Sequence, residues 1–81
     1  MKNLIRKAKQ IACKPHIALN KDYITTSHAK NLNITVNGPV VVKTDLIIVP
    51  INVFMFSSFR DYSKRVVLNL SDLSVKELLP A

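Results

Sequence analysis

Cys13, His16 and His28 are the side chains whose types could hold a metal ion, and Cys13-Lys-Pro-His16 has the spacing of a ligand pair. A zinc site wants three or four protein ligands. The fourth could come only from Asp22 or from a partner. The set reads instead as a half-buried thiol at a helix end and two solvent-facing imidazoles, so no metal and no cofactor is expected. His16 or His28 with Asp22 and Ser27 supplies the residue types of a hydrolytic triad, but geometry defines such triads and nothing in the spacing supplies it. There is no glycine-rich phosphate loop, no G-x-S-x-G, no H-E-x-x-H and no pair of C-x-x-C motifs. A single glycine, Gly38, leaves little means of bringing backbone amides close to a substrate. The expectation is a protein that is not an enzyme and takes no small-molecule substrate.

Charge speaks more clearly. Seven of the twelve Lys and Arg residues lie in the first 30 positions, against one acid there, Asp22. Lys2, Arg6, Lys7, Lys9 and Lys14 fall opposite an apolar stripe of Leu4, Ile5, Ala8, Ile11 and Ala12, which is the spacing of an amphipathic helix over residues 3–13. Those cations could neutralise phosphates and release counterions. The apolar stripe relies on two alanines and lacks Trp or Phe, which argues against membrane insertion. The bland alternative is a surface helix with solvated lysines.

A second set lies at Phe59, Arg60, Tyr62, Lys64 and Arg65, preceded by Phe54 and Phe56. Aromatic rings interleaved with cations can stack unpaired bases. The competing reading packs Phe54 and Phe56 in the core and pairs Arg60 with Asp61 or with the backbone. The candidate nucleic-acid-binding residues are therefore Lys2, Arg6, Lys7, Lys9, Lys14, Phe59, Arg60, Tyr62, Lys64 and Arg65.

The elements that must position these residues follow from periodicity and breakers. Pro15 should end the first helix near Cys13, with His16 to Asn20 crossing to the body as an extended linker or short strand. Tyr23 to Ser27 is β-branched enough for a strand. Leu32, Ile34 and Val36 alternate with Asn33, Thr35 and Asn37, the pattern of a strand with one wet face. Asn37-Gly38 signals a turn, loosened by Pro39. Val40 to Val42 and Leu46 to Val49 are continuous apolar runs, expected to be strands buried on both faces. Pro50 marks an edge, a bulge or a strand end. Ile51 to Phe56 resumes the strand pattern, with Ile51, Val53 and Met55 on one face. Ser57 to Lys64 reads as a loop or helical turn and Arg65 to Leu70 as the last strand. Ser71 to Leu79 reads as a short helix, with Ser74-Val-Lys-Glu77 as its capping box.

With 81 residues, the chain is expected to be a single domain: 1–22 a basic helix and linker, 23–70 a strand-rich body, 71–81 a short helical tail. The fold class is α+β, with an N-terminal amphipathic helix, four to five mainly antiparallel strands and a short C-terminal helix. One glycine favours an open, gently twisted sheet over a tightly curved closed barrel. Apolar residues make up 48% of the chain and the mean hydropathy is +0.18, more apolar area than so small a body hides. Self-association or docking in a larger assembly is expected from that excess. A lone cysteine and an N-terminus interrupted by Lys2, Arg6, Lys7 and Lys9 point to an intracellular (cytoplasmic) protein, or one packaged within a particle, and not a secreted one. The longest nearly uncharged apolar stretch, Leu46 to Phe56, is too short for a bilayer, which needs about 20 residues.

These features converge on a small, basic, non-catalytic binding protein whose N-terminal segment faces nucleic acid or a nucleoprotein. Two other readings belong to different classes. One is a structural subunit of a particle, such as a viral shell or cement protein, assembling by strand addition. The other is a small inhibitor that docks on one protein partner.

Overall fold

The computed structural model describes residues 2–19 and 30–80. The expected strand over Tyr23 to Ser27 lies outside them, as do Asp22, Ser27 and His28. Helix α1 covers Lys2–Ala12 and a short helix α2 covers Pro15–Ala18. Five strands follow: β1 (Leu32–Val36), β2 (Val41–Val42), β3 (Leu46–Met55), β4 (Arg60–Asn69) and β5 (Val75–Pro80). All pairings are antiparallel, in the order β1-β3-β4-β5, with β2 also on β3.

Pro15 does stop α1, but it starts α2 rather than a linker. Lys14 is extended (φ −70°, ψ 132°) and Pro15 takes the first helical position. A missing N–H costs nothing there, and the fixed φ suits the helix. The expectation of an extended segment over His16 to Asn20 is corrected accordingly for residues 16–18.

The helices cover one face of the sheet. Ala8 and Ala12 of α1 and Ala18 of α2 are fully buried against Ile47, Val49, Ile51 and Val53 of β3 and Val66 and Leu68 of β4. Alternation along β3 sends every odd residue into that core and every even one to the other face. So Leu46 to Val49 is not buried on both faces: Leu46 and Ile48 are half-buried and Val41, opposite Ile48, is exposed. No helix among the described residues lies on the even-numbered face.

β1 and β2 run in line along one edge of β3, and four residues, 37–40, separate them where β3 offers only Val49 and Pro50. Pro50 is thereby accommodated inside a ten-residue strand. Backbone groups in an antiparallel ladder aim alternately at the two neighbours. The Asn37 N–H donates to the Pro50 carbonyl at 3.1 Å, and the Phe56 N–H to that of Asn31 at 2.9 Å, so even residues of β3 face β1 and β2. The N–H that Pro50 lacks would have pointed into the break. Gly38 leaves room for the proline ring, since a Cβ there would meet Pro50 Cγ at 3.2 Å. The Asn37-Gly38 signal thus marks an irregular edge, not a hairpin turn.

The C-terminal helix is not formed; residues 75–80 are strand β5. The side chains that resembled helix caps instead close the turn before it. Asp72 Oδ1 accepts from the Ser74 N–H (3.0 Å) and hydroxyl (2.7 Å), and Asn69 Nδ2 donates to the Ser74 hydroxyl at 3.0 Å. The Leu73 and Asn69 N–H groups bond to the Asn69 and Ser74 carbonyls. Side-chain bonds of this kind compete with helix formation. β4 likewise starts at Arg60, five residues before the expected boundary, because a four-residue turn, Phe56 to Phe59, suffices to reverse the chain.

Hydrogen bonds from the Ser74 N–H and then its hydroxyl hold the Asp72 carboxyl below the ordinary carboxylate range. A carboxyl depressed by folding stabilises the fold above its unfolded pKa, and that contribution is lost as the pH falls through the folded value. Thermal unfolding followed by circular dichroism should therefore show a smaller acid-side fall in Tm for Asp72→Asn than for the native chain. Equal falls in both would remove Asp72 from the acid response.

Candidate nucleic-acid interface

α1 lies flat on β3 through Ala8 and Ala12, whose small side chains let the helix backbone approach the sheet. Ile5 and Ile11 flank that contact. Arg6, Lys7, Lys9 and Gln10 point outward and are exposed, and Lys14 is exposed just beyond the helix end. Lys2 opens the helix. The helix carries no acid. A shallow depression of about 350 Å³ runs between Ile5, Arg6, Lys9 and Gln10, with two cations at its rim.

The second set is divided by strand alternation. Even residues of β4 share the helix face: Lys64 lies opposite Ile51 and Tyr62 opposite Val53. The Lys64 ammonium donates to the Ala18 carbonyl at 3.4 Å, a cation at the C-terminal end of α2. Arg65 lies on the opposite face and donates from Nε and Nη2 to the Pro80 carbonyl, at 3.3 and 3.2 Å, tying down the end of β5. Phe59 and Arg60 sit at the β3–β4 turn, both exposed. The five residues do not form one surface, because a spacing of one residue on a strand changes face.

Phe54 and Phe56 also leave the core. Phe54 is half-buried on the helix-free face and Phe56 is 48% exposed. Phe54 is the hub of a ring cluster, edge-to-face with Phe56 (centroids 4.9 Å apart, 87°) and with Phe59 (6.3 Å, 71°). Beside it runs a polar row. Asn37 Nδ2 donates to the Ser63 hydroxyl, Ser63 to Asn52 Oδ1, and Asn52 Nδ2 to Asp61 Oδ1, at 3.3–3.4 Å. The register sets Asn33 and Asp61 on either side of Phe54, and Thr35 and Ser63 on either side of Asn52. The alternation of Asn52, Phe54 and Phe56 is visible in the sequence. Their grouping with Asn33 and Asp61 needed the pairing of β3 with both neighbours.

Among the described residues two that are not glycine have positive φ, Phe59 (51°) and Leu73 (59°). That region costs an L-residue roughly 1–2 kcal/mol. Leu73 is half-buried and packs against the core, which offsets the cost. Phe59 is 82% exposed and gains no such burial.

At the candidate metal pair, burial raises the pKa of the Cys13 thiol, which keeps it protonated at neutral pH. His16 is exposed. Among the described residues no three of His, Cys, Asp and Glu come together as a metal-holding group. No described helix is long and apolar enough to cross a membrane. No protein-family model, no curated protein and no solved structure matches the chain.

Proposed function

We propose that the protein is a non-catalytic binding module whose α1 cations face the phosphates of a nucleic acid or nucleoprotein. The observation that supports this most directly is the acid-free outer surface of α1. Arg6, Lys7 and Lys9 all stand in solvent while the helix is anchored by Ala8 and Ala12. A rigidly seated helix presents its charges at fixed spacing, so neutralising phosphates costs little additional ordering. Binding of this kind weakens linearly in log–log plots against salt, with a slope set by the number of phosphates neutralised.

Fluorescence anisotropy with a labelled 20-mer, titrated at several salt concentrations, tests the proposal. The R6E/K7E/K9E variant should bind more weakly, and its salt slope should be shallower by about three, roughly one per lost phosphate contact. An unchanged affinity and slope, or no binding at low salt by the native chain, would overturn it.

Assembly through the helix-free sheet face is the second reading, favoured by the exposure of Val41 (44%) beside half-buried Ile48. Ile48→Lys should lower the mass measured by light scattering if that face joins copies. Val53 is unsuitable for the same purpose, since it is fully buried under the helices and charging it would unfold the chain.

A further inference from the structure

We infer that the ring cluster at the β3–β4 turn is a stacking platform for unpaired bases, making single-stranded nucleic acid the preferred ligand. This rests on the nucleic-acid reading above and assigns it a second contact surface, on the face of the sheet opposite α1. Three observations carry it. Phe56 and Phe59 expose their rings at the turn while Phe54 braces both from within the sheet, so neither needs ordering when a base arrives. Phe59 holds its ring outward from a backbone conformation that glycine or asparagine would adopt more cheaply, without the core packing that supports Leu73. A strained and solvent-facing aromatic is poorly explained by stability alone.

Third, the surroundings suit a nucleotide. Asn33 and Asp61 flank Phe54 across the strands, offering amide and carboxylate groups to the edge of a stacked base. Exposed Arg60 adjoins the turn, and Lys30 adjoins Asn31, whose carbonyl accepts the Phe56 N–H. Arg60, opposite Met55, leaves the turn on the helix side, so it adds positive charge near the platform without belonging to its face. A chain carrying a net charge of +7 attracts such a strand from a distance. In a duplex the base faces are already stacked, so the platform selects for single strands.

The test is anisotropy with a labelled 12-nucleotide oligothymidylate and a 12-base-pair duplex, at fixed salt, on the full chain. The native protein should prefer the single strand. Phe59→Gly and Phe56→Ser should each weaken single-strand binding about tenfold, the scale of one lost base stack, and leave duplex binding within twofold. Phe59→Gly should also keep or raise Tm, which separates lost stacking from lost folding. The R6E/K7E/K9E variant should weaken both ligands alike. If it does not, while the Phe variants still act on the single strand, the helix reading fails and the platform stands. Unchanged single-strand affinity in both Phe variants overturns the platform. So does a native preference for duplex, or Phe59-dependent binding to phosphatidylserine vesicles without oligonucleotide binding.

Discussion

Replacing Ile51 by alanine is expected to destabilise the protein by about 2–5 kcal/mol, whereas Ile48→Ala should cost about 1 kcal/mol. The two isoleucines are three residues apart on β3 and differ in which face they occupy. Ile51 is fully buried between the sheet and the helices, with Val36 and Lys64 as its cross-strand neighbours. Its removal leaves a cavity that Ala8 and Ala12 are too small to fill. Ile48 is half-buried on the helix-free face, so truncating it removes contact area without enclosing a void. Stabilities for domains of this kind are about 5–15 kcal/mol, so the first substitution removes a large share of the total. Urea unfolding followed by far-UV circular dichroism measures both, with an unchanged m-value identifying a pure stability effect. Equal losses at the two positions would mean that Ile48 is also enclosed in solution. A second copy lying on the helix-free face would do that.

The strands with simple alternation were legible in the sequence. Leu32, Ile34 and Val36 occupy one face of β1 as their spacing predicts, and Ile51 and Val53 lie in the core. Helix α1 was legible for the same reason, through a period of 3.6 instead of 2. Three features were not. Pro50 reads locally as a break, and only the neighbouring edge, interrupted at residues 37–40, explains its place inside β3. Val67 is almost fully buried on the face away from the helices, where Ile48 and Glu77 flank it across the ladder, which no single-strand pattern reveals. The aromatic and basic set from Phe59 to Arg65 looked continuous along the chain, yet Tyr62 and Lys64 share the helix face while Arg65 is on the other. Sequence proximity and surface proximity diverge most on a strand, where each step reverses direction.

The C-terminal segment gives the sharpest contrast between a pattern and its structure, and it yields the second large effect. In a helix, Leu78 and Leu79 would share the apolar side with Val75, so charging either leucine would be similarly damaging. In β5 they face opposite ways. Leu78 lies beside Val66 and packs against the core, while Leu79 lies opposite Arg65 on the helix-free face. Leu78 is half-buried, so Leu78→Asp should cost about 2–3 kcal/mol, combining roughly half of the 1.5–3 kcal/mol of a fully buried leucine with the penalty of a carboxylate set against the core. Leu79 is equally half-buried but faces Arg65, so Leu79→Asp should cost about 1 kcal/mol, its lost contact area partly offset by a carboxylate–guanidinium pair across the strands that contributes roughly 0.2–1 kcal/mol. Denaturant midpoints for the two variants decide the matter. Similar midpoints would contradict the strand and restore the helix. A wide gap would show that β5 completes the sheet, its end held to β4 by the Arg65 guanidinium on the Pro80 carbonyl.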